Sequence, residues 1–370
     1  MRANLSVLSA LMPMNKESFP MTAISSLAPT EFTTFRAAAV QAAPAFLNSQ
    51  ASTEKACRLI EEAAAAGAKL IAFPEVFIAG YPYWNWMMSP LEGSRWFKRL
   101  YLSSILIPGP EVEALRRAAA RCAVTVIIGV NERSPVSMGT IFNTNLIIGD
   151  DGRLLGRHRK LVPTFAEKLT WGSGDGNSVR VYETPVGKVG TLACGENTNT
   201  LARFALLAQG EQIHIANYIA FPFTSNYDMP DAIRIRAGAH SFEGKVFTIV
   251  ACSAMSPEIV DALGSTPERR QQLTGAPNAF SGIFGPSGRL ISEPLIDQEG
   301  IVYGDINLDA SIEPKQFQDI IGHYNRFDVF ELRLHRRKLD PLRVGSETSV
   351  DSQRPQPEAH ADPDALEIDC

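Results

Sequence analysis

The sequence predicts an α/β fold with a mixed sheet covered by helices on at least one face. Short apolar, β-branched runs alternate with helical patterns along most of the 370 residues. The runs are joined both by hairpin turns and by helical crossovers, so parallel and antiparallel neighbours are both required. A composition of 45% hydrophobic and 20% charged residues supplies the apolar material for a sizeable core.

Phe35 to Gln41 reads as the first buried strand. Ser52 is placed to cap a helix running to about Ala66, where Gly67 supplies the stop. Lys69 to Phe73 is a short strand that ends at Pro74-Glu75. Pro110 to Arg121 is helical with proline in its first turn, and Val124 to Val130 is strongly β-branched. Ile141 to Ile148 and Leu154 to Lys160 flank Asp150-Asp151-Gly152, a hairpin signal. Val179 to Glu183 and Lys188 to Ala193 form strands around Pro185-Val186-Gly187. Leu201 to Gln209 is helical, Ile213 to Asn217 extended, Asp231 to Glu243 helical and Val246 to Cys252 a strand. Phe280 to Phe284 and Ile301 to Ile306 close the series, with a Gly-Pro-Ser-Gly turn at 285–288.

The ends differ in character. Residues 1–32 read as an N-terminal extension whose short apolar stretch is broken by serines, unlike a signal peptide; Met12, Met14 and Met21 leave the true start open. Residues 33–344 form the folded domain, and 345–370, rich in Pro, Asp, Glu, Ala and Gln, form an acidic tail expected to be disordered.

A net charge of −5 without a basic stripe argues against nucleic acid as a partner. No apolar run approaches the roughly 20 residues a membrane span requires, so no membrane partner is expected. The five cysteines, Cys57, Cys122, Cys194, Cys252 and Cys370, are scattered, odd in number and without a CxxC pair. That pattern opposes a disulfide framework and a structural zinc site and fits a reducing cytoplasm. The six histidines have no ligand spacing. No metal and no cofactor is expected.

Three polar residues close apolar strands: Glu75 after Leu70 to Pro74, Lys160 after the strand from Leu154, and Cys194 after Val189 to Ala193. Strand ends are where side chains converge on a shared crevice. A carboxylate can take a thiol proton, an ammonium can favour thiolate and stabilise negative charge, and a thiolate can attack an electrophilic carbon. Each also has an ordinary reading: a cysteine after a strand as a small buried hydrophobe, the glutamate as a cap, the lysine as part of a solvated basic face.

The local sequences decide between these. Phe73-Pro74-Glu75-Val76-Phe77-Ile78-Ala79-Gly80-Tyr81-Pro82 resembles the glutamate motif of the nitrilase superfamily, and His158-Arg159-Lys160-Leu161-Val162-Pro163-Thr164, continued through Glu167 and Trp171-Gly172-Ser173-Gly174-Asp175-Gly176, its lysine motif. Cys194-Gly195-Glu196-Asn197 is similar to the family's Cys-Trp-Glu-Asn nucleophile motif. Segments 209–214 and Ile321-Gly322-His323-Tyr324 also match, so the resemblance runs in order over residues 34 to 335. Lys160 lies 85 residues after Glu75, and Cys194 lies 34 after Lys160, at family-like spacing.

The resemblance implies an αββα sandwich with outer helix layers, a homo-oligomer (a dimer or larger spiral assembly), and hydrolysis of an organic nitrile to the carboxylic acid and ammonia. It implies Cys194 as nucleophile, Glu75 as base and Lys160 as the stabilising cation, with Glu167 and the Gly195 amide in support. Gly195 departs from the usual tryptophan: the amide remains, but a rigid wall beside the nucleophile is lost, which leaves the acid-to-amide product ratio open. Tyr81, Tyr83, Trp84 and Trp86 follow Glu75; Tyr81 and Trp84, with Asn197, are the candidates to line the substrate pocket, the alternative being that these rings pack core or subunit contacts. His158, His214 and His323 are expected to be structural. Two other functions stay open: an amidase or nitrile-hydrating member of the same family, and an inactive assembly subunit.

Overall fold

The structure is a computed structural model and describes residues 32, 34–223, 227–275 and 278–342. The expected tail, and the expected extension apart from residue 32, lie outside the described residues. Two six-stranded mixed sheets stack face to face. The first joins β1 (Thr34–Gln41), β2 (Ala68–Ala72), β3 (Thr125–Arg133), β4 (Ile141–Ile148), β5 (Leu154–Arg159) and β12 (Gly300–Asn307), in the order β12-β1-β2-β3-β4-β5. The second joins β6 (Tyr182–Thr184), β7 (Gly187–Ala193), β8 (Ile213–Tyr218), β9 (Phe247–Cys252), β10 (Phe280–Phe284) and β11 (Leu295–Ile296), in the order β11-β10-β9-β8-β7-β6. Each has a parallel centre (β1-β2-β3 and β7-β8-β9) with antiparallel strands outside it.

Alternation sorts the side chains. On β1, Ala37 and Ala39 face the other sheet while Ala38 and Val40 face outward. The inter-sheet core gathers Leu70, Ile127, Ile147, Val189, Ile215 and Ile249. The outer face of the first sheet is covered by α1 (Ser49–Ala65) and α3 (Pro110–Cys122), through Ile60 and Leu115. The second sheet is covered by α4 (Thr200–Leu207) and α5 (Met229–Gly244), through Leu206 and Ile233. The layers are those of the expected αββα sandwich. Buried polar pairs cross the sheet interface: Asn145 Nδ2 donates to Thr191 Oγ1 at 2.8 Å and to Asn217 Oδ1 at 3.1 Å, and Ser281 Oγ donates to Gln41 Oε1 at 2.8 Å.

Local chemistry moved several boundaries. The cap of α1 is Asn48, whose side chain accepts from Ala51 N, and not Ser52, which instead donates to the carbonyl of Ala45. The strand read from Val179 shortens to Tyr182–Thr184, because Asp175 caps a one-turn 3₁₀ helix at Gly176–Ser178. Four helices escaped the periodicity: α2 (Pro90–Ser103), α6 (Pro257–Leu263), α7 (Pro267–Leu273) and α8 (Ile312–Phe317). The first three begin with Ser-Pro or Thr-Pro, a hydroxyl cap followed by proline in the first turn.

Candidate active site

The polar residues that end the strands converge. Just past β2, the chain crosses Gly129 of β3 so closely that a Cβ there would lie 2.3 Å from Val76 N, and Gly129 N donates to Pro74 O. Glu75 N reaches across to the second sheet and donates to Tyr218 O at 3.2 Å. Val76 and Ala79 adopt positive φ, at 44° and 79°, so the segment carrying Glu75 is held in a conformation L-residues rarely adopt. Lys160 follows β5 and is pinned through its backbone N to Asn143 O at 2.8 Å.

Lys160 Nζ donates to Glu75 Oε1 and to Glu167 Oε2, each at 2.8 Å, with all three side chains buried. Asn143 Nδ2 donates to the same Glu75 Oε1 at 2.7 Å, while Glu75 Oε2 is buried without a partner. Glu167 is held from three sides, by Lys160, by Tyr81 Oη at 3.0 Å and by Thr164 N at 2.7 Å. Trp86 Nε1 in turn donates to Tyr81 Oη. Burial pushes the Glu75 carboxyl up despite Lys160, and the charge of Glu167 adds to the rise. Burial works to lower the Lys160 ammonium, but the carboxylates of Glu167 and Glu75 outweigh it and hold the ammonium well above its ordinary range.

Cys194 begins a 3₁₀ turn straight off β7, with φ at 49°. The turn is braced beneath. Glu196 accepts from Ala193 N and Leu161 N and pairs with His158 Nε2 at 2.8 Å, linking the nucleophile turn to the lysine segment. Asn197 Nδ2 donates to the carbonyls of Leu192 and Cys194, at 3.1 and 3.0 Å. Burial and the Glu75 carboxylate push the Cys194 thiol well up, Lys160 opposing. The shift favours the protonated thiol, Lys160 working against it, so forming a thiolate here calls for a base.

A cavity of about 300 Å³ opens over this cluster. Cys194, Gly195, Glu167 and Tyr81 line it with Trp86, Phe165, Ile219, Phe221, Tyr227, Met229, Thr164 and Arg236. Two pocket candidates lie elsewhere. Trp84 packs against Trp96, ring centroids 6.1 Å apart, inside a buried cluster; within the Tyr-Trp-Asn-Trp turn it is Trp86 that faces the cavity. Asn197 points beneath the nucleophile turn, where its two carbonyl partners hold it. The far wall, Tyr227, Met229 and Arg236, escaped the sequence reading because it comes from the approach to α5 and the helix itself, far from any of the motifs.

A second buried polar group lies behind the nucleophile. Glu211 Oε1 pairs with His214 Nδ1 and Oε2 with His240 Nε2, each at 2.8 Å, and His214 Nε2 reaches Asn197 Oδ1 at 2.7 Å. These three residues are the one grouping among the described residues whose donor atoms approach closely enough for a metal ion, all within 4.8 Å of one another. The hydrogen bonds within the group already engage the facing atoms. Gly190 makes room for it: a Cβ there would lie 2.0 Å from Glu211 Oε1. His323 is exposed and takes no part.

Residues 36–316 match the carbon–nitrogen hydrolase family, which is three quarters of the chain. An aliphatic nitrilase of Rhodococcus rhodochrous is 37% identical over 323 residues, spanning 85% of this chain and 86% of the relative. A bromoxynil-specific nitrilase of Klebsiella pneumoniae subsp. ozaenae is 35% identical over 337 residues, spanning 90% and 93%. Among solved structures, a carbon–nitrogen hydrolase from Helicobacter pylori G27 superposes with a TM-score of 0.59 at 18% identity, covering 77% of this chain and 94% of that one. A Saccharomyces cerevisiae member of branch 10 of the nitrilase superfamily gives 0.61 at 20%, with the same coverage. These two likenesses carry the fold. The chain belongs to the carbon–nitrogen hydrolase family. Its curated relatives at 33–37% identity set it among the nitrilases of that family. Among the described residues, no helix is long and apolar enough to cross a membrane.

Proposed function

We propose that this chain is a nitrilase that converts an organic nitrile to the carboxylic acid and ammonia, with residues 33–344 carrying the activity. Glu75 takes the Cys194 proton as the sulfur adds to the nitrile carbon, and the nitrogen gains a proton to give a thioimidate. Water adds, its proton passing to Glu75, and the C–N bond breaks to release ammonia and leave a thioester. A second water cleaves the C–S bond, releasing the acid and returning the thiol. Lys160 and the Gly195 amide stabilise negative charge as it develops; Glu167 fixes Lys160, and Tyr81 fixes Glu167.

The observation that supports this most is Lys160 clamped at 2.8 Å between Glu75 and Glu167, the latter lining the same cavity as Cys194. The unpartnered Glu75 Oε2 is the natural proton acceptor. The test is ammonia and organic product from the purified protein over aliphatic, aryl and arylacetonitriles with their matching amides, Cys194→Ala serving as control. Acid and ammonia from nitriles, abolished in Cys194→Ala, is the expected result. Turnover of amides alone would move the chain to an amidase role, and undiminished activity in Cys194→Ala would end the mechanism.

A cytoplasmic, homo-oligomeric enzyme completes the reading. The four described cysteines are free thiols. The segment after α8 exposes Phe327, Val329 and Phe330 beside one another, apolar surface of the kind subunits cover.

A further inference from the structure

We infer that Arg236 selects nitriles bearing a carboxylate at the end remote from the cyano group; the inference rests on the nitrilase reading and names the substrate class of the same site. Arg236 lies on α5, whose start is fixed by Asp228 accepting from Asp231 N at 2.9 Å. Arg236 lines the same cavity as Cys194, and its charge is felt by the thiol. Nε donates to Thr198 Oγ1 at 2.7 Å and Nη2 donates to Tyr227 Oη, both neutral oxygens. Among the described residues, no carboxylate lies within 4.0 Å of it.

The rest of the cavity cannot serve an anion. Lys160 is not among the lining residues and already faces two carboxylates, and Glu167, the acid in the lining, is committed to Lys160, Tyr81 and Thr164. Thr164 and Tyr227 add only hydroxyls, and the remaining wall is apolar: Trp86, Phe165, Ile219, Phe221 and Met229. A cation with no carboxylate beside it among the described residues, at the edge of such a wall, is matched by a substrate with a short apolar spacer between its nitrile and a planar anion. The guanidinium fork suits a carboxylate. A guanidinium that merely tied Thr198 to Tyr227 would affect every substrate alike, and this separates the two roles.

The experiment compares kcat/KM for 4-cyanobutanoate and for 5-methylhexanenitrile, which replaces the carboxylate by an uncharged isopropyl group of similar size. The wild-type enzyme is expected to favour 4-cyanobutanoate by about tenfold or more. That ratio is expected to fall about tenfold in Arg236→Gln and by less in Arg236→Lys, which keeps the charge but loses the fork. A wild-type ratio of one or below, or a ratio unchanged in Arg236→Gln, overturns the inference while leaving the nitrilase reading intact. Failure of the folded protein to hydrolyse any nitrile overturns both. The wild-type ratio decides even if a variant fails to fold.

Discussion

His214 Nε2 lies 2.7 Å from Asn197 Oδ1, and through that contact a buried histidine braces the turn that carries Cys194. Asn197 spends its amide hydrogens on the carbonyls of Leu192 and Cys194, so its oxygen can only accept. His214 Nε2 donates to it, and His214 Nδ1 lies 2.8 Å from Glu211 Oε1. A buried polar chain from Glu211 through His214 to Asn197 therefore stands behind Cys194.

Asn197→Leu removes both donors to the turn and strands the His214 N–H. Loosening a reacting atom by about 1 Å is worth about a hundredfold in rate. The expected outcome is a fall in kcat of about 10- to 100-fold with KM changed less than about threefold. Steady-state kinetics on one good nitrile would measure it, and a change in KM alone would return Asn197 to the pocket wall.

The same network makes stability depend on pH. Burial, with the neighbouring His214, holds His240 down to about 4 in the folded protein, against 6.5 in its absence. Between pH 6.5 and about 4 the unfolded chain binds the proton that the folded one refuses. Stability therefore falls as pH falls through that window, by roughly 3 kcal/mol at 1.4 per unit. Glu211, held at about 2 by its two histidines although burial alone would raise it, adds a further loss from about 4.5 downward. Denaturant midpoints at pH 7, 5 and 4 should show the slope, and His240→Gln, which takes up no proton, should flatten its upper part.

Cys194 should alkylate slowly at neutral pH. Its thiol is pushed well up by burial and by Glu75, so iodoacetamide incorporation at pH 7 should lag behind that of a free cysteine and climb with pH to beyond 9. Because Glu75 is raised, the acid limb of kcat/KM should lie above 4.5, where an ordinary glutamate would put it. Rapid alkylation at pH 7 would mean a thiolate already formed.

Gly195 sets the room beside the sulfur. A Cβ there would meet Thr164 Oγ1 at 3.1 Å and otherwise open space. Gly195→Trp should therefore fill part of the cavity. We expect kcat/KM for arylacetonitriles to drop by about tenfold or more, and that for short aliphatic nitriles to drop less. Equal losses on both would show that residue 195 does not shape the pocket.

The motifs made much of this legible. Glu75, Lys160 and Cys194 were readable because each ends an apolar strand inside a segment of recognisable sequence, and strand ends in an α/β sheet converge. The layers followed from alternating strands and helices. What stayed hidden depended on contacts between distant segments. Whether Trp84 or Trp86 faces the cavity is fixed by a 3₁₀ turn at Tyr83–Trp86 and by the position of Trp96, neither of which leaves a periodic trace. Asn143 and Arg236 are ordinary polar residues in sequence, and only the pairing of the strands and the path of α5 brings them to the site. Helices α6 and α7, seven residues each, are too short to show a period.

Glu75 and Lys160 come from one sheet and Cys194 from the other, so neither sheet owns the site. A chain in which each sheet had formed but the two had not yet docked would hold its acid and ammonium in one half and its thiol in the other. Turnover then reports the last step of tertiary assembly. Activity should appear during refolding only when the Asn145–Asn217 and Glu75–Tyr218 bridges close, after the helical signal has already returned. The enzyme is its own gauge of whether the halves of the sandwich have met.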